Sequence, residues 1–441
     1  MSAKKLLRSV LTLCVCALLV GCACSTATPA SSSAQASGSS ATEAAISAAS
    51  SADTSATEAA APATSSAETP SSTETSSAAN AALILADCPV SHSPNSDGVF
   101  IEISVEDFNA LGFALGDSVD VSFSNGYALK GLPYYNGTLV EPGEPLLLGH
   151  SSLPYIEVGV FYGDDLWVTA GLSDGDTATV TLAEAGAYAA LQKALDFSYT
   201  DERADYPSDV VFANFRELSG GNLTPGMFYR GASPVNNKNN RAAYANAFIA
   251  DAGVQVDFNL ADNNNEIERF LEEDAEANID VSYFEGLYSS GKVVAIDLNA
   301  AYQSDEYAQK VAAGLVELMQ HEGPVYIHCT AGKDRTGFVC MLLEALAGAS
   351  YEQIVDDYMI TYDNYYHINA TNDVERYNII KEQRLDSMFR HMVGMEKGAD
   401  LASADPAAGA RNYLKNAGMT DRQIDQLTDF LCASSYELAA A

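Results

Sequence analysis

Polar and apolar residues alternate through "SVDVSFSNG" (Ser118 to Gly126), with Val119, Val121 and Phe123 on one face and Ser118, Asp120 and Ser122 on the other. A period of two marks a strand with one buried face, and the closing Asn-Gly pair favours a tight hairpin turn. "DTATVTL" (Asp176 to Leu182) alternates in the same way, and both runs follow a Gly-Asp pair, at Gly116 and at Gly175. Gly and Pro punctuate the chain between them, as in "EPGEPLLLG" (Glu141 to Gly149). The stretch 82–190 therefore predicts a compact β-domain, a small barrel or sandwich, of the kind that serves as a spacer or docking module. It gathers no chemistry-bearing residues.

Further along, the period changes. "GVQVDFNL" (Gly253 to Leu260), "GKVVAIDL" (Gly291 to Leu298) and "PVYIH" (Pro324 to His328) are short apolar runs of strand length. Between the last two, "EYAQKVAAGLVELMQHEG" (Glu306 to Gly323) sets Ala308, Val311, Leu315 and Leu318 at helical spacing and closes on Gly323. "FVCMLLEALAG" (Phe338 to Gly348) is apolar almost all round, which predicts a buried helix. Ser350 and Gln353 then form a capping box for the next helix. Strands alternating with helices over 191–436 predict an α/β fold, a central sheet flanked by helices, following the β-domain.

The N-terminus reads differently again. Lys4, Lys5 and Arg8 precede an apolar run, Ser9 to Val20, too short to span a bilayer comfortably, and "LVGC" follows at Leu19 to Cys22. The pattern resembles a bacterial lipoprotein signal over 1–24, with Cys22 as the lipid attachment point. An uncleaved anchor and an ordinary signal peptide are the alternatives. All three take the chain out of the cytoplasm, and the lipoprotein reading places it on the outer face of the cytoplasmic membrane, at the cell surface. Residues 25–81 are almost entirely Ser, Ala and Thr, with five acids and no Lys or Arg. They predict a disordered linker with a reach of roughly 40 Å.

Composition narrows the partners. The 441 residues include 23 Lys+Arg against 59 Asp+Glu, a net charge of -36, which argues against nucleic acid. Any phosphate site must be a local positive hollow in a negative field. Four of the eight cysteines lie in or beside the signal, leaving Cys88, Cys329, Cys340 and Cys432, which make neither a disulfide framework nor a metal cluster. Cys340 reads as a core thiol.

The chemistry concentrates in "HCTAGKDRTG", His328 to Gly337, where a predicted strand ends and a buried helix begins. A tight loop opening a helix presents converging N–H groups to an anion. Those of Thr330, Ala331, Gly332, Lys333, Asp334 and Arg335 would ring a phosphoryl group, with Gly332 allowing the turn and the Arg335 guanidinium completing the ring. Cys329 would lie at the bottom of this cup, its thiolate favoured by the dipole, the amides and Arg335 and assisted by the Thr336 hydroxyl. Such a thiolate is placed for in-line attack on phosphorus, with no metal and no cofactor needed.

"HCTAGKDRTG" resembles the signature of the protein tyrosine phosphatase superfamily, and most nearly the branch of exported bacterial tyrosine and phosphoinositide phosphatases carrying "HCxxGKDRTG". "NFRELSGGNLTPGMFYRGASP" (Asn214 to Pro234) is similar to that branch's opening motif and "YLKNAGMTDRQIDQLTDFL" (Tyr413 to Leu431) to its C-terminal helical segment. The resemblance implies a phosphatase fold, a phosphocysteine intermediate on Cys329, phosphate binding by Arg335, support from His328 behind the loop, and positive charge from Lys333 at the rim. It implies Asp334 as proton donor, with Asp262, Asp297 and Asp305 as alternatives, because no Trp-Pro-Asp loop is present. Arg230 is a further candidate, set against a sheet-edge salt bridge. "DFNLAD" (Asp257 to Asp262) departs from the family's usual "DLR", and Gly231 from its usual Ser.

The expected activity is that of a phosphomonoesterase on a phosphorylated protein, a phosphoinositide or an inositol phosphate. A cysteine phytase and a non-catalytic phosphate-binding module are the alternatives. A rhodanese-like or arsenate-reducing loop fits poorly, because such loops do not combine the His-Cys start with Arg-Thr-Gly.

Overall fold

The computed structural model describes residues 83–93 and 96–432. The signal, Cys22 and the linker 25–81 lie outside the described residues.

Seven strands close a barrel: β1 (Ile84–Ser93), β2 (Gly98–Ile101), β3 (Ser118–Phe123), β4 (Ala128–Tyr135), β5 (Pro145–Leu148), β6 (Ile156–Val160) and β7 (Thr177–Glu184). Of the two expected architectures, barrel and sandwich, the chain adopts the barrel. The two alternating runs are neighbours in it, for β3 pairs antiparallel with β7 and brings Val121 opposite Val180 and Phe123 opposite Ala178. Val119, Val121, Ala178 and Val180 are fully buried, so the apolar face read from the alternation is the barrel's lining. Gly116 and Gly175, the glycines ahead of the two runs, both have positive φ (92° and 96°), which explains the repeat as a turn that admits glycine most readily.

The second sheet runs β11-β10-β12-β9-β8: Val293–Ala295, Val256–Asn259, Val325–His328, Phe228–Gly231 and Arg216–Glu217. β9 to β12 are parallel and β8 is antiparallel to β9. β12 lies between β10 and β9, so its carboxyl end opens onto the crevice where α/β sheets place ligands. The helix Asp334–Leu346 leaves that end directly and buries every residue from Thr336 to Leu346, as its apolar sequence requires. The amphipathic helix Asp305–Leu318 packs Val311, Leu315 and Leu318 on the core, while Ala308 is only partly buried. Ser350 caps Tyr351–Tyr366 with Gln353 in the capping box.

Candidate active site

The loop from Cys329 to Lys333 has its carbonyl groups tied outward, one after another. The Cys329 carbonyl faces Nδ1 of His328 at 3.2 Å. The Thr330 carbonyl accepts from the Ser233 N–H at 3.1 Å, and the Ala331 carbonyl from the Tyr365 hydroxyl at 2.7 Å. The Gly332 carbonyl accepts from Asn214 Nδ2 at 3.2 Å and from Arg230 Nη2 at 3.1 Å. The Lys333 carbonyl takes the Gly337 N–H at 2.7 Å. Peptide planes are rigid, so fixing each C=O outward aims the N–H groups on the opposite side of the loop inward, over Cys329.

Two glycines permit this. Gly332 sits at φ 65°, and a Cβ there would overlap the Gly231 carbonyl. A Cβ on Gly231 would in turn press on the Tyr326 hydroxyl, which donates to the Ala232 carbonyl. The departure from Ser at 231 thus has a packing reason: β9 and the loop approach backbone to backbone, with Gly231 opposite His328 in the sheet.

Cys329 is 4% exposed, at the floor of the cup. Burial raises its thiol pKa, but Arg335 first and then the Thr336 hydroxyl and backbone outweigh that and hold it below the ordinary value. The Thr336 hydroxyl is buried and has no oxygen or nitrogen partner. Arg335 is steadied by donating from Nη1 to the Leu298 carbonyl at 2.9 Å and from Nη2 to Thr330 Oγ1 at 3.2 Å. Behind the loop, fully buried His328 donates from Nε2 to Asp257 at 3.0 Å. Burial lowers its pKa, and the Asp257 carboxylate reverses this to a net rise. Both ring nitrogens face acceptors, a carboxylate and a carbonyl, which suits the imidazolium form.

At the rim, Lys333 holds Asp334 at 2.9 Å and lies over the Tyr362 ring. The surrounding protein raises the Asp334 carboxyl, but Lys333, then Arg384 and Arg335, bring it below the usual range. Asp262 is the opposite case. It is 5% exposed, accepts from Asn259 Nδ2 at 3.1 Å, and burial pushes its pKa up, against the pull of His328 and Arg335.

The remaining candidates separate. Asp297, also at positive φ, is half-exposed and faces Lys310 at 3.8 Å, and Asp305 lies in the exposed first turn of its helix; neither joins the cup. Arg230 corrects the sheet-edge reading. It is 1% exposed on β9, between β12 and β8, pairs with Asp357, and reaches the loop through Gly332. Asp357 also pairs with Arg216 at 2.8 Å, beside buried Glu344. Cys340 is a free, fully buried thiol pushed up to about 12 by burial. Asn214, Asp357 and Tyr365 were not singled out from sequence. Asn214 lies inside the quoted opening motif and so carried a signal, whereas Asp357 and Tyr365 look like ordinary helix residues.

Comparisons agree with this geometry. The sequence model described as "Tyrosine phosphatase family" matches residues 211–433. A tyrosine-protein phosphatase of Nostoc commune is 32% identical over 132 residues, covering 28% of this chain and 42% of that protein. The triple specificity protein phosphatase PtpB of Mycobacterium tuberculosis is 29% identical over 160 residues, covering 31% of this chain and 56% of its own. The chain thus spans about half the length of the curated relatives it matches.

Proposed function

The chain belongs to the tyrosine phosphatase family, and we propose that it is a cysteine-dependent phosphomonoesterase acting on phosphorylated substrates outside the cell. The observation that carries this reading is the loop whose carbonyls are all tied outward around a buried, acidified thiol. In the first step the Cys329 Sγ–P bond forms as the bond from phosphorus to the leaving oxygen breaks, and that oxygen takes the proton of Asp334. The loop N–H groups and Arg335 hold the three equatorial oxygens as charge redistributes. A phosphate dianion in the cup adds negative charge beside Asp334 and moves its carboxyl back toward the protonated form. In the second step water attacks phosphorus, the S–P bond breaks, and Asp334 recovers the proton. Lipidation of Cys22 holds the enzyme at the outer face of the membrane.

The test is turnover of p-nitrophenyl phosphate by the full chain. Vanadate-sensitive hydrolysis that Cys329→Ser abolishes supports the reading, while a fully active Cys329→Ser protein would sink it. Labelled palmitate that enters the wild-type protein but not Cys22→Ala tests the anchor.

A further inference from the structure

Hydrogen bonds and ion pairs join the barrel to one segment of the α/β part. Arg384 donates to the Thr138 carbonyl, Arg390 pairs with Glu141 at 2.6 Å, and Lys397 pairs with Glu144 at 2.8 Å and with Glu141 at 3.4 Å. Arg376 donates to the Lys193 carbonyl at 3.2 Å, and Lys193 faces Glu375 at 3.5 Å. On the α/β side these hydrogen bonds and ion pairs fall between Glu375 and Lys397. On the barrel side they fall in the β4–β5 loop or on the helix Ala189–Leu195 that follows β7.

The same segment reaches the cup from its other face. Ser387 Oγ lies 2.9 Å from the hydroxyl of Tyr302, four residues after the Leu298 carbonyl that holds Arg335. His391 packs edge-on against Tyr302 and also meets Phe338. Arg384 sits one turn before Ser387, within a π-helical turn, Lys381–Leu385. Such a turn inserts a residue into a helix and recurs at functional sites.

Arg384 is unusual in its company. Among the described residues, the arginines without a carboxylate partner are Arg335, Arg384 and Arg422. Arg422 is exposed, whereas Arg335 and Arg384 are half-buried and each is oriented by a backbone carbonyl. In a chain with 59 acids and 23 bases, a half-buried guanidinium left without a carboxylate is a cation held for something else. Its charge is felt at Asp334, on the rim of the cup.

We propose that Arg384 is the cation of a second anion subsite beside the cup. It takes a further phosphate carried on the same leaving group as the scissile one, and the barrel holds it in place directly through the Thr138 carbonyl and, by way of Arg390 on the same segment, through Glu141. The inference rests on the phosphatase reading. The substrate class it names is a phosphomonoester with two phosphates close together, for which Arg335 and Arg384 supply one guanidinium each.

The experiment compares the full-chain wild type, Arg384→Gln, Arg384→Lys and Glu141→Gln on p-nitrophenyl phosphate and on a soluble inositol bisphosphate with adjacent phosphates. The readout is the ratio of kcat/KM for the two substrates. Arg384→Gln lowers the bisphosphate-to-monophosphate ratio about tenfold or more, mainly through KM, as expected for one lost charge-assisted hydrogen-bonded contact. Arg384→Lys recovers part of the ratio, and Glu141→Gln lowers it by a smaller factor. A ratio within about twofold of wild type in Arg384→Gln overturns the subsite while leaving the phosphatase reading intact. A wild type that turns over neither substrate overturns both.

Discussion

Cys329 and the carboxylates of Asp334 and Asp262 set the pH behaviour of the site. Arg335 and Thr336 hold the thiol below its ordinary value against burial. Alkylation of Cys329 by iodoacetate, followed by mass against pH, is therefore expected to titrate below the usual thiol range. Thr336→Val should move that inflection upward, since it removes a group that favours the thiolate; an inflection that stays put would dismiss the hydroxyl. The proton donor is a sharper contest. Asp334 is poised at the rim but lowered by Lys333, while Asp262 is raised by burial yet tied to Asn259. A donor matters most when the leaving oxygen is poor. Asp334→Asn should cost about 10²-fold or more in kcat on an alkyl phosphate and much less on p-nitrophenyl phosphate. If Asp262→Asn gives that pattern and Asp334→Asn does not, the buried carboxyl is the acid.

Between β12 and the helix Asp334–Leu346, five residues curl around Cys329 because partners outside the loop hold its carbonyls. Gly332 is the point where the chain and β9 come closest. Gly332→Ala meets both the positive φ and the Gly231 carbonyl, so the loop must shift. Displacement of a reacting geometry by about 1 Å costs on the order of 10²-fold. Loss of that size in kcat/KM, with an unfolding temperature close to wild type, is the expected result, and undiminished activity would refute the close approach. The loop and its flanking strand and helix were legible in the sequence because "PVYIH" and "FVCMLLEALAG" are local patterns with one reading each. Two of the seven barrel strands, β3 and β7, were legible from alternation, whereas closure was not, since a period of two is the same in a sandwich. What holds the loop was mostly hidden. Asp357 and Tyr365 come from the helix Tyr351–Tyr366, far along the chain, and burial of Arg230 is a property of strand order, not of neighbours in sequence.

The barrel and the α/β part meet through charges that are partly withdrawn from water. Arg390 and Glu141 have side chains only 9% and 15% exposed, at 2.6 Å. Lys397 also faces Glu141, but with a side chain 55% exposed, so it adds little. A buried pair is weak evidence of stability as a whole, yet removing one partner strands the other without solvent. A double-mutant cycle of Glu141→Gln and Arg390→Gln, read from urea unfolding of the full chain, separates these effects. Each single change should destabilise by roughly 1–3 kcal/mol, and the double change by clearly less than their sum. The coupling should persist in 0.5 M salt, because a pair excluded from solvent is screened far less than one on the surface. Coupling below about 0.5 kcal/mol, or coupling that salt abolishes, would mean that the pair is solvated. The barrel would then be a loosely tethered neighbour of the phosphate loop, with no fixed grip on the segment that carries Arg384.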